Sequence, residues 1–240
     1  MILEAAGWCF IATSTLIIGT WIAFRFQPSS KIVGLVMGFG AGALIAAVAY
    51  ELFPEPSYQH LLSFISLGLG AILFYLGTLL IERRSTGKGA GDANEQTRMG
   101  KTIVLGALLD GIPESLVLGM TLAVGGALSI AFFGAVLVSN LPEGIAASAE
   151  LERGGIPRHK IYSLWIFVML VSVISTIAGV VMIQIVPSAE GVNAMAIAGG
   201  AVLAMLADSM IPEGFREGGR LTGLIVVLGF AFAAILGVIG

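Results

Sequence analysis

The stretch GALLDGIPESLVLG, residues 106–119, decides how the chain reads. Its flanks are apolar, as in a membrane-buried helix, yet Asp110, Pro113 and Glu114 sit near its middle. A charged side chain at the bilayer centre costs about 3 kcal/mol even on lenient insertion scales. A proline inside a helix removes one backbone hydrogen bond. Intramembrane acids of this kind turn to a bundle interior or a polar path, and by default they mark function.

The composition supports the membrane setting. Of 240 residues, 57% are hydrophobic and only 11% charged, with a mean hydropathy of +0.99. Ordinary soluble domains carry about a quarter charged residues, so a soluble fold of this length has no way to hide the apolar surface. The N-terminal MILEAAGWCF has no positive stretch and an early Glu4, so a retained first helix is expected rather than a cleaved signal peptide. The single Cys9 permits neither an intrachain disulfide nor a cysteine metal cluster.

About 20 apolar residues span a bilayer. Eight segments meet this length, roughly 4–24, 32–53, 60–81, 102–124, 127–149, 161–186, 192–212 and 220–239. The expected fold is all-α, with eight transmembrane helices forming a single domain over 1–240. The polar, glycine-rich stretch 83–100 reads as a flexible loop between helices 3 and 4. All 12 Lys and Arg then fall in the connections 1–2, 3–4, 5–6 and 7–8. The positive-inside rule makes that side cytoplasmic and puts both termini outside.

Two internal repeats follow. GFGAGALIAAVAYELFPEP (38–56) aligns without gaps on AIAGGAVLAMLADSMIPEG (196–214), pairing Gly42 with Gly200, Pro54 with Pro212 and Glu55 with Glu213. The two segments run in opposite directions through the membrane, so the repeat is inverted, relating helices 1–3 to helices 6–8 around central helices 4 and 5. Inverted repeats with midplane sites are a signature of secondary transporters. The second repeat returns to the opening stretch. VSNLPEGIAAS (138–148) carries a second Pro-Glu pair, and aligning the prolines sets Asp110 against Ser139 and Glu114 against Glu143.

Asp110 and Glu114 share one helix face, as do Ser139 and Glu143, with Asn140 one turn from Glu143. The prolines leave the carbonyls of residues 109 and 138 without their usual donors. Oxygen ligands from two neighbouring helices suit a divalent cation. Clustered carboxylates repel, and either a cation or protons relieve that repulsion. No Lys or Arg lies at membrane depth to do so. Glu51 and Asp208 either line a pathway or serve packing. Glu55, Glu213, Glu150 and Glu152 read as solvated helix ends, and His60 and His159 as interfacial. Gly34, Gly38 and Gly42 have the spacing for close helix approach within the chain. The glycines lack a P-loop ending, and no nucleophile–histidine pair or HExxH occurs. Neither enzyme chemistry nor a resident cofactor is expected.

Together, DGIPES (110–115), SNLPEG (139–144), the eight segments and the inverted relation resemble the ZIP (Zrt/Irt-like protein) family of divalent metal transporters. In that family these segments typically read His-Asn-x-Pro-Glu-Gly and build a binuclear metal centre. The resemblance implies metal ligands at Asp110, Glu114, Ser139, Asn140 and Glu143. It implies a cell-membrane protein that moves zinc, manganese, iron or cadmium toward the cytoplasm by alternating access, and it allows a homodimer. The partners are then the lipid bilayer and the metal itself, with no nucleic acid. The chain departs from the pattern. Neither motif has a histidine, Gly111 stands for the usual Asn, Ser115 stands for the usual Gly, and helix 6 offers no acid. An oxygen-rich set shifts preference toward harder ions. Two other readings stand beside this one: a proton-coupled carrier of a non-metal substrate, and a non-transporting receptor or scaffold.

Overall fold

Each long apolar run becomes a helix, because a chain in lipid must satisfy its backbone hydrogen bonds within itself. The computed structural model describes residues 1–53, 61–86, 95–125, 128–185 and 191–239. Among these there is no strand. The helices are α1 (Ile2–Phe26), α2 (Ser30–Leu52), α3 (Leu61–Thr86), α4 (Glu95–Gly125), α5 (Ile130–Arg153), α6 (Arg158–Ile185), α7 (Gly191–Gly218) and α8 (Leu221–Ile239). Seven are long and apolar enough to cross a membrane, and α8 adds a shorter apolar stretch, Leu221–Gly237. Large apolar side chains such as Leu61, Ile65, Tyr75, Ile174 and Leu224 are exposed. A surface this apolar suits lipid rather than water, and the chain is a multi-pass membrane protein.

Local chemistry sets the boundaries. α1 ends where Gln27 takes a left-handed conformation (φ 46°) and donates to the Ala23 carbonyl, just before Pro28. Ser29 then caps α2 by accepting from the Ile32 amide, and Ser129 caps α5 by accepting from Phe132. The turn from α5 to α6 uses Gly155 at φ 81°. Apolar runs alone underestimate α4. It starts at Glu95, and α3 runs to Thr86, so the polar stretch 83–100 is helical at both ends, while residues 87–94 lie outside the described residues. Polar residues extend a helix beyond the apolar core, where hydropathy gives no signal. α4 and α5 run unbroken through Pro113 and Pro142.

Glycines decide how the rods pack. α2 lies chiefly on α8, α3 on α7, α4 on α6 and α1 on α5. At each crossing two glycines bring backbone onto backbone. A Cβ on Gly42 would strike the Val226 carbonyl, and one on Gly229 the Phe39 carbonyl; Gly200 meets Leu67 and Gly70 meets Ile197 in the same way. Gly119 and Gly179 make the α4–α6 crossing, and Gly19 and Gly144 the α1–α5 crossing. Close approach of this kind maximises dispersion between helices in lipid, where no hydrophobic force drives them together. The glycines of the expected close-packing run also face inward: Gly34 and Gly38 abut Gly218 and Thr222.

Exchanging α1 with α6, α2 with α7, α3 with α8 and α4 with α5 maps these crossings onto one another. The register that pairs Gly42 with Gly200 also pairs two widened, π-helical turns, Val48–Leu52 in α2 and Leu206–Met210 in α7. Pro54 and Glu55, the other half of that repeat's ending, lie outside the described residues, as does His60. For α4 and α5 the crossing glycines give a different register from the prolines. Gly119 corresponds to Gly144, one helical turn away from the alignment of Pro113 with Pro142. Helix depth is set by where backbones cross, not by where prolines fall.

Candidate functional site on α4, α5 and α7

The acids of the opening stretch lie in the heart of the bundle. Glu114 is buried, with only 4% of its surface exposed, and Asp110 and Glu143 are half-buried. Their burial follows from close helix approach. Gly40 of α2 lets α5 come so near that a Cβ there would lie 2.9 Å from the Ser139 Cα. In the register of the crossing glycines Glu114 corresponds to Ser139. The Asp110 carboxyl acts electrostatically on both Glu114 and Glu143, and Glu114 acts on Glu143.

One acid has a hydroxyl partner: Ser209 of α7 lies 3.2 Å from each carboxyl oxygen of Asp110. The Ser139 hydroxyl, next to Glu114 in register, donates to the Val136 carbonyl at 3.0 Å. The Glu143 carboxyl has no hydrogen-bond donor among the described residues. The ion pairs found there are Met1–Glu4, Arg158–Glu152, and Arg216 with Glu213 and Glu217. None reaches Asp110, Glu114 or Glu143.

Asn140 is buried, and its amide nitrogen donates to the Ala12 carbonyl of α1 at 3.3 Å. It pins α5 to α1, and its amide oxygen has no described hydrogen bond. Nearby, Thr176 of α6 donates to the Ser115 carbonyl at 2.8 Å. A second network joins α1, α5 and α6: Trp165 donates to Ser148 at 2.8 Å, and Ser148 meets Thr20 at 2.8 Å.

The structure brings the five expected residues onto adjoining faces but does not close them round one point. Among the described residues no three His, Cys, Asp or Glu side chains stand close enough together to hold one metal ion.

A cavity of about 790 Å³ opens beside Gln27, Arg153 and Arg216, so the α1–α2, α5–α6 and α7–α8 connections share one end of the bundle. Arg153 and Arg216 lie at that end. The cavity reaches Ala146, one turn from Glu143, and is also lined by Glu150, Glu152, Glu213 and Glu217. Glu213 acts electrostatically on both Asp110 and Glu143. At the opposite end a cavity of about 270 Å³ is lined by Glu51, Thr121, Ser129 and Gly237. Asp208 is exposed and acts on Asp110. Ser209 drew no attention as sequence, although it occupies the α7 position that corresponds to Glu51 in α2.

No protein-family model matches the chain, and no curated protein matches it.

Proposed function

With three acids at the centre of a multi-pass bundle as the premise, we propose that the chain is a divalent-cation transporter of ZIP-like architecture. The single observation that carries this reading is the group Asp110, Glu114 and Glu143. These acids come from two neighbouring helices and act on one another, with no basic side chain paired to them among the described residues. An exogenous dication supplies the missing charge. The carboxylates and the Ser139 hydroxyl are hard oxygen donors, which suit manganese or iron at least as well as zinc. Asn140 adds its amide oxygen if its hold on α1 is released.

In this reading the inverted relation of α1–α3 to α6–α8 supplies two related access routes. One route leads from the Glu51 cavity and the other toward the Glu213 cavity. Alternating access follows when one helix group rocks against the other. The carboxyls then close on the cation in passing between the two states. The basic end faces the cytoplasm, the termini face outward, and metal moves inward across the cell membrane. A homodimer is compatible with this arrangement.

A second reading has its own support. Glu114, Asp110, Glu143 and Glu213 act on one another across α4, α5 and α7, and intramembrane acids that interact in this way also suit proton relay in a carrier of a non-metal substrate. Thermal stability of the purified protein separates the two. Stabilisation by Zn²⁺, Mn²⁺, Fe²⁺ or Cd²⁺ at neutral pH, lost in Glu114→Gln and Glu143→Gln, supports the metal reading. No stabilisation by any of these ions refutes it, and proton flux without metal dependence establishes the other.

A further inference from the structure

Ser209 holds an uncommon position. Its hydroxyl has one proton and three acceptors in reach: the Met205 carbonyl at 3.0 Å and the two Asp110 carboxyl oxygens at 3.2 Å each. Both bonds cannot be made at once, so the hydroxyl has two settings. With the proton toward Asp110, it ties α7 to α4. With the proton toward Met205, its lone pairs face the Asp110 carboxyl, and that arrangement is favourable when a cation lies between them or when Asp110 is itself protonated and donates.

The backbone serves this geometry. Ser209 is the fourth residue of the widened turn Leu206–Met210. Such a turn inserts one extra residue and so rotates the helix beyond it by roughly 100° about its axis. Turns of this type recur at functional sites. Asp208 and Glu213 add their negative charge at Asp110, which strengthens the pull on a cation at this spot. α4 otherwise offers Asp110 no hydroxyl of its own, since its neighbour is Gly111.

We propose that Ser209 is a further ligand of the transported cation, a switchable oxygen that donates to Asp110 in the empty site and turns its proton to Met205 when the cation arrives. The proposal rests on the metal-transport reading and deepens it. It makes the binding site span α4 and α7 as well as α4 and α5, so that occupancy is felt across both related halves of the bundle.

The test is a metal switch in the full-length purified protein, reading Mn²⁺ and Cd²⁺ affinity from thermal stabilisation. Ser209→Ala should weaken Mn²⁺ by about tenfold, as loss of one supporting ligand does. Ser209→Cys replaces a hard oxygen with a soft sulfur and should raise the Cd²⁺ to Mn²⁺ preference by about tenfold or more. Ser209→Thr keeps the hydroxyl and should keep the wild-type ratio. A purely structural role would lower both affinities together and leave the ratio in Ser209→Cys unchanged, which overturns the proposal. Tighter binding in Ser209→Ala also overturns it, since the hydroxyl would then be a competitor. If the wild type binds neither ion, the transport reading itself falls and the proposal with it. If the wild type binds and only the switch is missing, Ser209 alone is excluded.

Discussion

Adding one methyl group at Gly70 should cost far more than adding the same group two residues away. At Gly70 a Cβ would strike the Ile197 carbonyl oxygen, with the carbonyl carbon at 2.7 Å and the Cα at 3.0 Å. These are backbone atoms, so no rotamer change relieves the clash. α3 must part from α7 by more than the roughly 0.7 Å that brings the carbonyl carbon to ordinary contact near 3.4 Å, because the carbonyl oxygen lies closer still. A gap of that size forfeits roughly a quarter to a half of the dispersion energy of the contacts it opens. Overpacking of this kind typically costs about 1–3 kcal/mol. At Gly68 and Gly77 of the same helix nothing lies within 4 Å of the added atom. There alanine should be neutral or stabilise by up to about 1 kcal/mol through helix propensity. Thermal unfolding of purified variants in detergent should therefore rank Gly70→Ala well below Gly68→Ala and Gly77→Ala. Gly229→Ala, at the corresponding crossing of α8 on α2, should fall with Gly70→Ala. Equal melting temperatures for Gly68→Ala and Gly70→Ala would refute both the packing and the register on which the site depends.

Further outcomes follow from the polar interior. Ser148→Ala should destabilise by about 1–3 kcal/mol, because it strands the buried Trp165 N–H, while Thr20 keeps its bond to the Leu16 carbonyl; the same melting assay reads this, with metal response retained. Asn140→Asp should weaken the α5–α1 hold, since a carboxylate cannot donate to the Ala12 carbonyl; a lower melting temperature without metal is the expected result. Acidification should weaken cation binding, because protons and a cation compete to neutralise the same carboxyls. Metal titrations at two pH values check the sign, with tighter binding at the higher pH.

Much of the architecture was legible in the sequence because a bilayer imposes a length: among the described residues seven helices meet it and α8 is a shorter apolar helix. Three of the connections that carry basic residues, α1–α2, α5–α6 and α7–α8, meet at one cavity. Helix ends were less legible. The polar turns at Glu95 and Thr86 extend helices through chemistry that hydropathy does not register. The widened turns in α2 and α7 are a matter of backbone hydrogen bonding, and VAYEL and LADSM share no composition that marks them. At the site, Asp110, Glu114 and Glu143 stood out because an acid among apolar residues is rare. Asn140 stood out for the same reason, yet its described bond is to the α1 backbone. Ser209 stayed hidden because serine is common in membrane helices, and its role depends on a neighbour distant in sequence. Proline alignment paired Glu114 with Glu143, whereas the crossing glycines pair Glu114 with Ser139.

Uptake of divalent metal into liposomes containing the purified protein tests the central claim most directly, with the wild type measured beside Glu143→Gln. The account predicts saturable uptake of at least one of Mn²⁺, Fe²⁺, Zn²⁺ and Cd²⁺ by the wild type, abolished by loss of this central carboxylate. Uptake that is absent in the wild type for all four ions, or undiminished in Glu143→Gln, would contradict it.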